Sequence, residues 1–528
     1  MKVVHISTYD VSGGAAIATY RLHQSLQQLG HQSYLLVRSK VTDDPTVLCV
    51  STQETEVTLR TSEWLTIQQL YCNQNKTEAA QSYFSYGYPG FDLATLNLCQ
   101  QADVIHLHWV SAFQSPATLH KLLSLNKPVV WTLHDMAPFT GGCHYSAGCV
   151  GYQHTCEDCP QLRDDPYHLP AASLQDKRTL LSPVRDRLTL VTPSTWMTAC
   201  AQASQLFRQC RVETIPYALN LDQFWPMEKA TAKARLGIDP QVFTLIAQST
   251  PEPRKGFVQL MNTLQQCLEH SEFRALVRAG RVQLLIFGSE LTHWPQGWEN
   301  AAEPMMPYLH LGMKSAPVDL VSAYAAADVL LLSSFEDNLP NVMLEAMSCA
   351  TPVIAFDGGG MRDAVLPGKT GWLVPLGNFE LFGQAIVECV LNPDRCRAMQ
   401  WPARLMAEQR YAMPDEAQRY VDLYHELLAQ PWVRSAPNAD DWAQLGAIAA
   451  PLDVTLGPSV EPIHTPIVVH ALTRAVDYYR TIAERVQQAE AARDEYQQRL
   501  AAMETSKFWR LRSVWFAMRR SVGWAGRE

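Results

Sequence analysis

Through most of the chain, short runs of aliphatic and β-branched residues alternate with longer stretches whose apolar positions recur every three to four residues. The short runs, bounded by glycine or polar clusters, are strand-like, and the longer recurrence is helical. Val3-Val-His-Ile-Ser7 is the first run. A glycine turn at Gly13-Gly14 follows, then a helix predicted from about Ala15 to Leu29 and stopped by Gly30. Ser33–Val37, Val104–His108, Val129–Leu133 and Leu188–Val191 continue the strands, around a polar, weakly periodic region over roughly 45–100. A second series runs Phe243–Ala247, Val282–Phe287, Leu309–Leu311, Val329–Leu332 and Pro352–Phe356. Helices separate these strands, including one at Asn341–Cys349, and Asp415–Ala429 is also helical. Alternation of this kind builds parallel sheets with crossover helices. The chain therefore reads as two doubly wound α/β domains facing a cleft, and ligands in such sheets bind beyond the carboxyl ends of the strands.

The pattern then changes. Residues 431–466 hold six prolines and little periodicity, a linker composition. Leu472, Ala475, Tyr479, Ile482, Val486, Ala489, Tyr496, Leu500 and Met503 recur at spacings of three and four, with Arg493 the one break. This predicts a coiled coil or a long amphipathic helix over 467–505, a route to self-association. The last segment, 506–528, is basic and aromatic. The expected boundaries are thus 1–218 and 219–412 for the two domains, 413–430 for a closing helix, then the linker, the amphipathic helix and the tail.

Composition narrows the class. Of 528 residues, 47% are apolar and 18% charged, which excludes global disorder. A net charge of −9 argues against a bulk-basic nucleic-acid coat, so no nucleic-acid partner is expected. No apolar run approaches the roughly 18–20 residues that span a bilayer. Met1-Lys-Val-Val-His-Ile reads as a buried strand rather than a secretory signal, and the thirteen cysteines then read as reduced, cytoplasmic thiols. On that reading the sequon Asn75-Lys-Thr77 is chance.

Three stretches carry chemistry. Gly13-Gly14, between a strand and a helix start, leaves amides that could face a phosphate or sugar, or form only a tight turn. Its spacing is not the dinucleotide fingerprint. Pro253-Arg254-Lys255-Gly256 can set an ammonium against a diphosphate, or be a solvated basic loop. The strongest is Ser333-Ser-Phe-Glu-Asp-Asn-Leu-Pro-Asn-Val-Met-Leu-Glu-Ala-Met347. Here Asp337 and Glu345, with seven residues between them, can accept from hydroxyls of a sugar and a ribose, while the helix start supports an anion. Gly358-Gly-Gly360 and Gly368-Lys-Thr-Gly371 follow.

On these residues, with Ala346-Met347, Thr351-Pro-Val353 and Ile215-Pro-Tyr-Ala-Leu-Asn-Leu-Asp222-Gln-Phe224, the chain from residue 1 to about 430 resembles a retaining GT-B glycosyltransferase of family 4, of the bacterial polysaccharide-biosynthesis kind. The resemblance implies a GT-B fold with a C-terminal helical extension, an acceptor-side first domain and a nucleotide-sugar-binding second domain. It implies a nucleoside-diphosphate sugar donor, a saccharide or lipid-linked saccharide acceptor, retention of configuration, and no cofactor required for catalysis. Gly13 and Gly14 would lie near the sugar and phosphate, and His134 in Trp131-Thr-Leu-His-Asp135 would contact the donor sugar. Lys255 would neutralise the diphosphate, Asp337 would hold sugar hydroxyls, and Glu345 the ribose. The backbone of Asn338, Leu339, Pro340 and Asn341, with Gly359 of the triple glycine, would support sugar and phosphate. A catalytically impaired sugar-nucleotide-binding adaptor and a GT-B sugar-nucleotide epimerase are the alternatives.

Two positions depart from the family pattern. Asp337 stands where glutamate is usual, with Glu336 beside it as a second candidate, and Ser249 stands where an arginine is usual, with Arg254 as a candidate substitute. His106 and His108 share a strand face and fit core packing or a cleft wall. Cys143, Cys149, Cys156 and Cys159 form C-x5-C-x6-C-x2-C, compatible with structural zinc, two disulfides or free thiols. In the tail, Lys507, Arg510, Arg512, Arg519 and Arg520 interleave with Phe508, Trp509, Trp515 and Phe516. That pattern suits a helix lying on a membrane surface, or one docked on the protein's own acidic face, and it makes the expected location cytoplasmic and peripheral to the inner face of the membrane.

Overall fold

The computed structural model describes residues 1–50, 65–66, 68–88, 90–163, 165–290, 306–314 and 316–430. The expected linker, amphipathic helix and basic tail, with the self-association and membrane-surface expectations attached to them, lie outside the described residues.

Two parallel sheets organise the chain. The first has the order β3-β2-β1-β4-β5-β6-β7, with β1 Lys2–Tyr9, β2 Gln32–Ser39, β3 Val47–Cys49, β4 Val104–Leu107, β5 Val129–Thr132, β6 Leu188–Thr192 and β7 Arg211–Thr214. The second has the order β10-β9-β8-β11-β12-β13, with β8 Phe243–Ser249, β9 Val282–Gly288, β10 Tyr308–His310, β11 Val329–Leu332, β12 Val353–Phe356 and β13 Gly371–Val374. Each order reverses once, at β1/β4 and at β8/β11. Connections leave such a point toward opposite faces, which opens a crevice at the strand ends.

The central strands are buried on both faces, as continuous Val-Ile-Leu runs require. Alternate residues divide between two cores. Val4, Ile6, Leu107, Trp131 and Leu190 pack on one face of the first sheet, and Val3, Val104 and Val130 on the other. No strand was expected at β3, β7 or β13. All three are edge strands, and β7, Arg211-Val-Glu-Thr214, is only half-buried at every position, so it carries no apolar run to read.

Helix α1 (Gly14–Gln28) ends in a Schellman motif: Gly30 N–H donates to Gln27 O at 2.9 Å and His31 N–H to Leu26 O at 3.0 Å, with Gly30 at φ 82°. Helix α2 spans Leu169–Leu181 and α3 Asn341–Ser348. Helix α4, Met413–Ala429, follows the second domain in sequence yet packs on the first, its Tyr420, Tyr424 and Leu427 against Val3, Leu22, Leu26 and Val104.

Within α4, Glu416 is buried, and burial pushes its carboxyl up to about 8. The folded chain therefore keeps a proton there that the unfolded chain releases above its ordinary value of 4.5, and this group's effect on stability worsens as pH rises from 4.5 to 8. Glu416→Gln removes that penalty. At pH 7 to 8 it should stabilise the fold by about 2 kcal/mol, a rise of a few degrees in melting temperature, and the gain should vanish below about pH 5. Thermal melts across that range test it.

Candidate active site

The first domain brings its glycine turn to the crevice. After β1, the Asp10 carboxylate accepts from the backbone N–H of Val11, Val41 and Thr42 and from the Thr42 hydroxyl, all at 2.8 to 2.9 Å. Burial would raise this carboxyl, but the four hydrogen bonds outweigh it and hold it below its ordinary range. The turn reaches Gly13 at φ 94°, which caps α1 without a side chain.

The second domain supplies the cations. Pro253–Lys255 form a 3₁₀ turn closed by Gly256 at φ 66°, where any Cβ would strike the Ser333 carbonyl oxygen at 2.3 Å. This seats Lys255 Nζ on Asp337 Oδ2. Arg254 lies beneath: its Nη1 is 3.3 Å from Asp337 Oδ2 and donates to Glu336 O at 2.6 Å, its Nη2 pairs with Glu252, and its guanidinium covers the Tyr145 ring at 4.0 Å. Burial alone would raise the Asp337 carboxyl, but Lys255 and Arg254 hold it low. Of the two carboxylates considered from sequence, Asp337 meets the lysine. Glu336 turns away and accepts from Ala147 N–H at 2.9 Å and the Ser146 hydroxyl at 3.4 Å. Arg254 is a buried brace for this loop and Lys255 the more exposed cation, with 21% of its side chain accessible. Ser249, at the end of β8, directs its hydroxyl to Ser289 O at 2.7 Å.

The loop 337–341 is held from both sides. At Gly359 (φ 60°) a Cβ would lie 1.9 Å from the Asp337 carbonyl oxygen, so this glycine, with Gly360 N–H donating to that oxygen at 2.8 Å, supports the loop's backbone. Asn338 reaches across the crevice. Its Nδ2 donates to Leu133 O at 2.9 Å and His134 O at 3.0 Å, and its Oδ1 accepts from Ser194 at 2.7 Å. Leu339 is buried and Pro340 caps α3. Asn341 Nδ2 then donates to Gly14 O at 3.1 Å, so the N-termini of α1 and α3 meet. Asn338→Ala would strand two carbonyls and a hydroxyl in a buried place, at a cost of about 2–4 kcal/mol. A melting temperature within a degree of the parent would contradict this bracing role.

Glu345 lies one turn into α3, buried, with both oxygens engaged: Arg21 Nη2 of α1 pairs with Oε1 at 3.2 Å and the Tyr324 hydroxyl donates to Oε2 at 3.1 Å. Sequence reasoning found Glu345 but missed Arg21, Tyr324, Tyr145 and Ser194. None carries a local signature, because each acquires its partner only when distant segments fold together.

His134 is also enclosed. Its Nδ1 bonds the Tyr217 hydroxyl at 2.6 Å, its Nε2 meets His108 Nδ1 at 3.2 Å, and the Tyr217 ring stacks on it. Burial lowers it to about 4, so the ring is neutral. The expectation that this ring contacts the donor sugar finds both of its nitrogens occupied. His108 Nε2 continues to His5 Nδ1 at 2.9 Å, and His106 bonds Thr132 and Tyr424. His106 and His108 do share a face, with His5 added from β1. The nitrogens of these three lie within 4.8 Å of one another and serve as links in buried hydrogen-bond chains. Next to His134, Asp135 accepts from His144 at 2.6 Å and Trp109 at 2.7 Å, bordering a cavity of about 40 Å³ with Ser85, Trp131 and Lys177. Cys143, Cys149, Cys156 and Cys159 gather on the loop beyond it.

A protein-family model described as glycosyl transferases group 1 matches residues 243–392. Those residues form a glycosyl transferases group 1 domain. The match opens with β8 and takes in Lys255, Asp337, Glu345 and the triple glycine, so the group 1 domain is the second sheet with its helices. D-inositol 3-phosphate glycosyltransferase from Segniliparus rotundus is 29% identical over 191 residues, 36% of this chain and 41% of that protein. The chain spans about half the length of the curated relatives it matches. Sucrose-phosphate synthase from Thermosynechococcus elongatus aligns with a TM-score of 0.53 and 18% identity, over 81% of this chain and all of that one. Anabaena HepE, solved with UDP-glucose, aligns with a TM-score of 0.53 and 16% identity over the same share of this chain. The likeness to these structures is one of fold, and the two-sheet architecture around the group 1 domain is GT-B.

Proposed function

We propose that the chain transfers a sugar from a nucleoside diphosphate to a saccharide or lipid-linked saccharide, with retention of configuration. The observation that carries this reading is the meeting of the α1 and α3 N-termini at the Asn341–Gly14 hydrogen bond, with Lys255–Asp337 on one side and Glu345 on the other. Two helix starts present unpaired amides and positive dipole ends to one place, which suits a diphosphate.

In the step proposed, the bond between the sugar's anomeric carbon and the diphosphate oxygen breaks, and its electron pair goes to that oxygen. Lys255 and the helix-start amides stabilise the charge as it develops. The acceptor hydroxyl bonds the anomeric carbon from the same face and passes its proton to the departing phosphate, so no protein nucleophile is required. Asp337 orients sugar hydroxyls and Glu345 the ribose. The group 1 match and the curated relatives support transferase chemistry, and the neighbour solved with UDP-glucose makes uridine diphosphate the first base to try.

The test is a thermal-shift screen of sugar nucleotides, followed by assay of diphosphate release. At least one donor should raise the melting temperature, since binding to the folded state alone stabilises it. No shift and no release with any common sugar nucleotide would end the proposal.

A further inference from the structure

The four cysteines noted in the sequence sit on one loop of the first domain, between β5 and α2. Its described residues have little regular structure beyond 3₁₀ turns at Ala137–Phe139 and Gly151–Gln153. All four thiols line one cavity of about 20 Å³, room for a single water or ion and too small for an organic ligand. One of the sulfurs also has a backbone donor aimed at it. Gly151 N–H donates to Cys149 Sγ at 3.3 Å, and a Cβ on Gly151 would lie 3.3 Å from Cys149 Sγ and 3.7 Å from Cys156 Sγ, so this residue lies against both sulfurs. That donor is the amide two residues after the cysteine.

A neutral thiol is a weak acceptor, and an amide trained on Cys149 Sγ among its neighbouring sulfurs suits a thiolate. Four thiolates in one buried pocket repel each other unless a cation lies among them. We propose that Cys143, Cys149, Cys156 and Cys159 bind one zinc ion in a tetrahedral S₄ site. Zinc fits because it accepts four thiolates and no other ligand in a closed structural site. No three of the four sulfurs lie within 4.8 Å of one another here, so binding draws them inward around the ion.

The position of the loop gives the ion a task. Residues 145–147, between the first two ligands, make contacts with the second domain: the Tyr145 hydroxyl with Asp337 at 3.4 Å, and Ser146 and Ala147 with Glu336. At the loop's base, Lys177 of α2 donates to Ala137 O at 2.6 Å and Thr140 O at 2.9 Å. The ion would fix the stretch between these anchors, and with it the surface that faces Asp337.

The experiment uses the full chain, purified under reducing conditions without chelator. Elemental analysis should find about one zinc per chain. A mercurial should release it, with four additional thiols becoming titratable. Cobalt in its place should give the visible absorption of a tetrahedral thiolate centre. Cys156→Ser or Cys159→Ser should lose the metal, and Cys49→Ser, at an exposed cysteine elsewhere, should keep it. A metal-free chain with four freely reacting thiols overturns the proposal, and so does a pair of disulfides found among these residues by non-reducing peptide mapping. If the serine variants fail to fold, the zinc content and cobalt spectrum of the parent decide. Resting on the transferase reading, zinc removal should also weaken sugar-nucleotide binding. Metal stoichiometry is read without any sugar nucleotide, so failure of the two ideas can be told apart.

Discussion

Lys255→Ala should lower sugar-nucleotide turnover by about 10²–10³-fold, in line with the loss of one charge-stabilising donor at a reacting oxygen. The lysine is held at the Asp337 carboxylate by a turn that ends in a glycine pressed against the Ser333 carbonyl, so its placement comes from backbone geometry. Of the two basic residues in this turn, Arg254 is engaged by Glu252, Glu336 O and the Tyr145 ring and is buried. It cannot take over at the diphosphate without leaving those partners. The loss should fall chiefly on kcat, because the diphosphate carries its greatest charge as it departs. Melting temperature should change little, since Arg254 still balances Asp337. Turnover within threefold of the parent would remove Lys255 from the site.

Glu345→Ala should weaken donor binding about tenfold to a hundredfold and also destabilise the fold by about 2–4 kcal/mol, because it removes a charged acceptor and strands Arg21. Arg21 already has one buried nitrogen, Nη1, without a partner. The two effects separate in a double-mutant cycle with Arg21→Met and Glu345→Gln. If Glu345 serves only the Arg21 pair, the double variant recovers both stability and donor affinity. If it also holds the ribose, stability returns and affinity does not. Recovery of both would confine Glu345 to linking α1 and α3.

The second domain's contribution was legible because it is local. Asp337 through Glu345 lie on one loop and the helix it starts, and the interval between them shows in the sequence as a pattern. Lys255 was legible from a strand end and a glycine. What spans the crevice was not. Arg21 and Glu345 are 324 residues apart, and the side chain of Asn338 bonds carbonyls of residues 133 and 134. Such pairs leave no interval to read. Three of the four edge strands, β3, β7 and β13, were missed for another reason, since partial burial dilutes the apolar signal on which strand recognition depends. The shared face of His106 and His108 followed from alternation along a strand, but His5 joined them only through the pairing of β1 with β4, which puts His5 opposite His106.

That row of rings has a property belonging to none of its members. From Tyr217 through His134 and His108 to His5, each neutral ring has one proton to give and one lone pair to receive with. If the Tyr217 hydroxyl donates inward, every imidazole must pass its hydrogen inward too, and the buried Nε2–H of His5 is left facing nothing. If the sense reverses, the remainder at that same atom is a bare lone pair. No ring can choose separately. The string is a single switch with two positions, and whatever engages the hydroxyl of Tyr217 sets the tautomer of His5, three hydrogen bonds away.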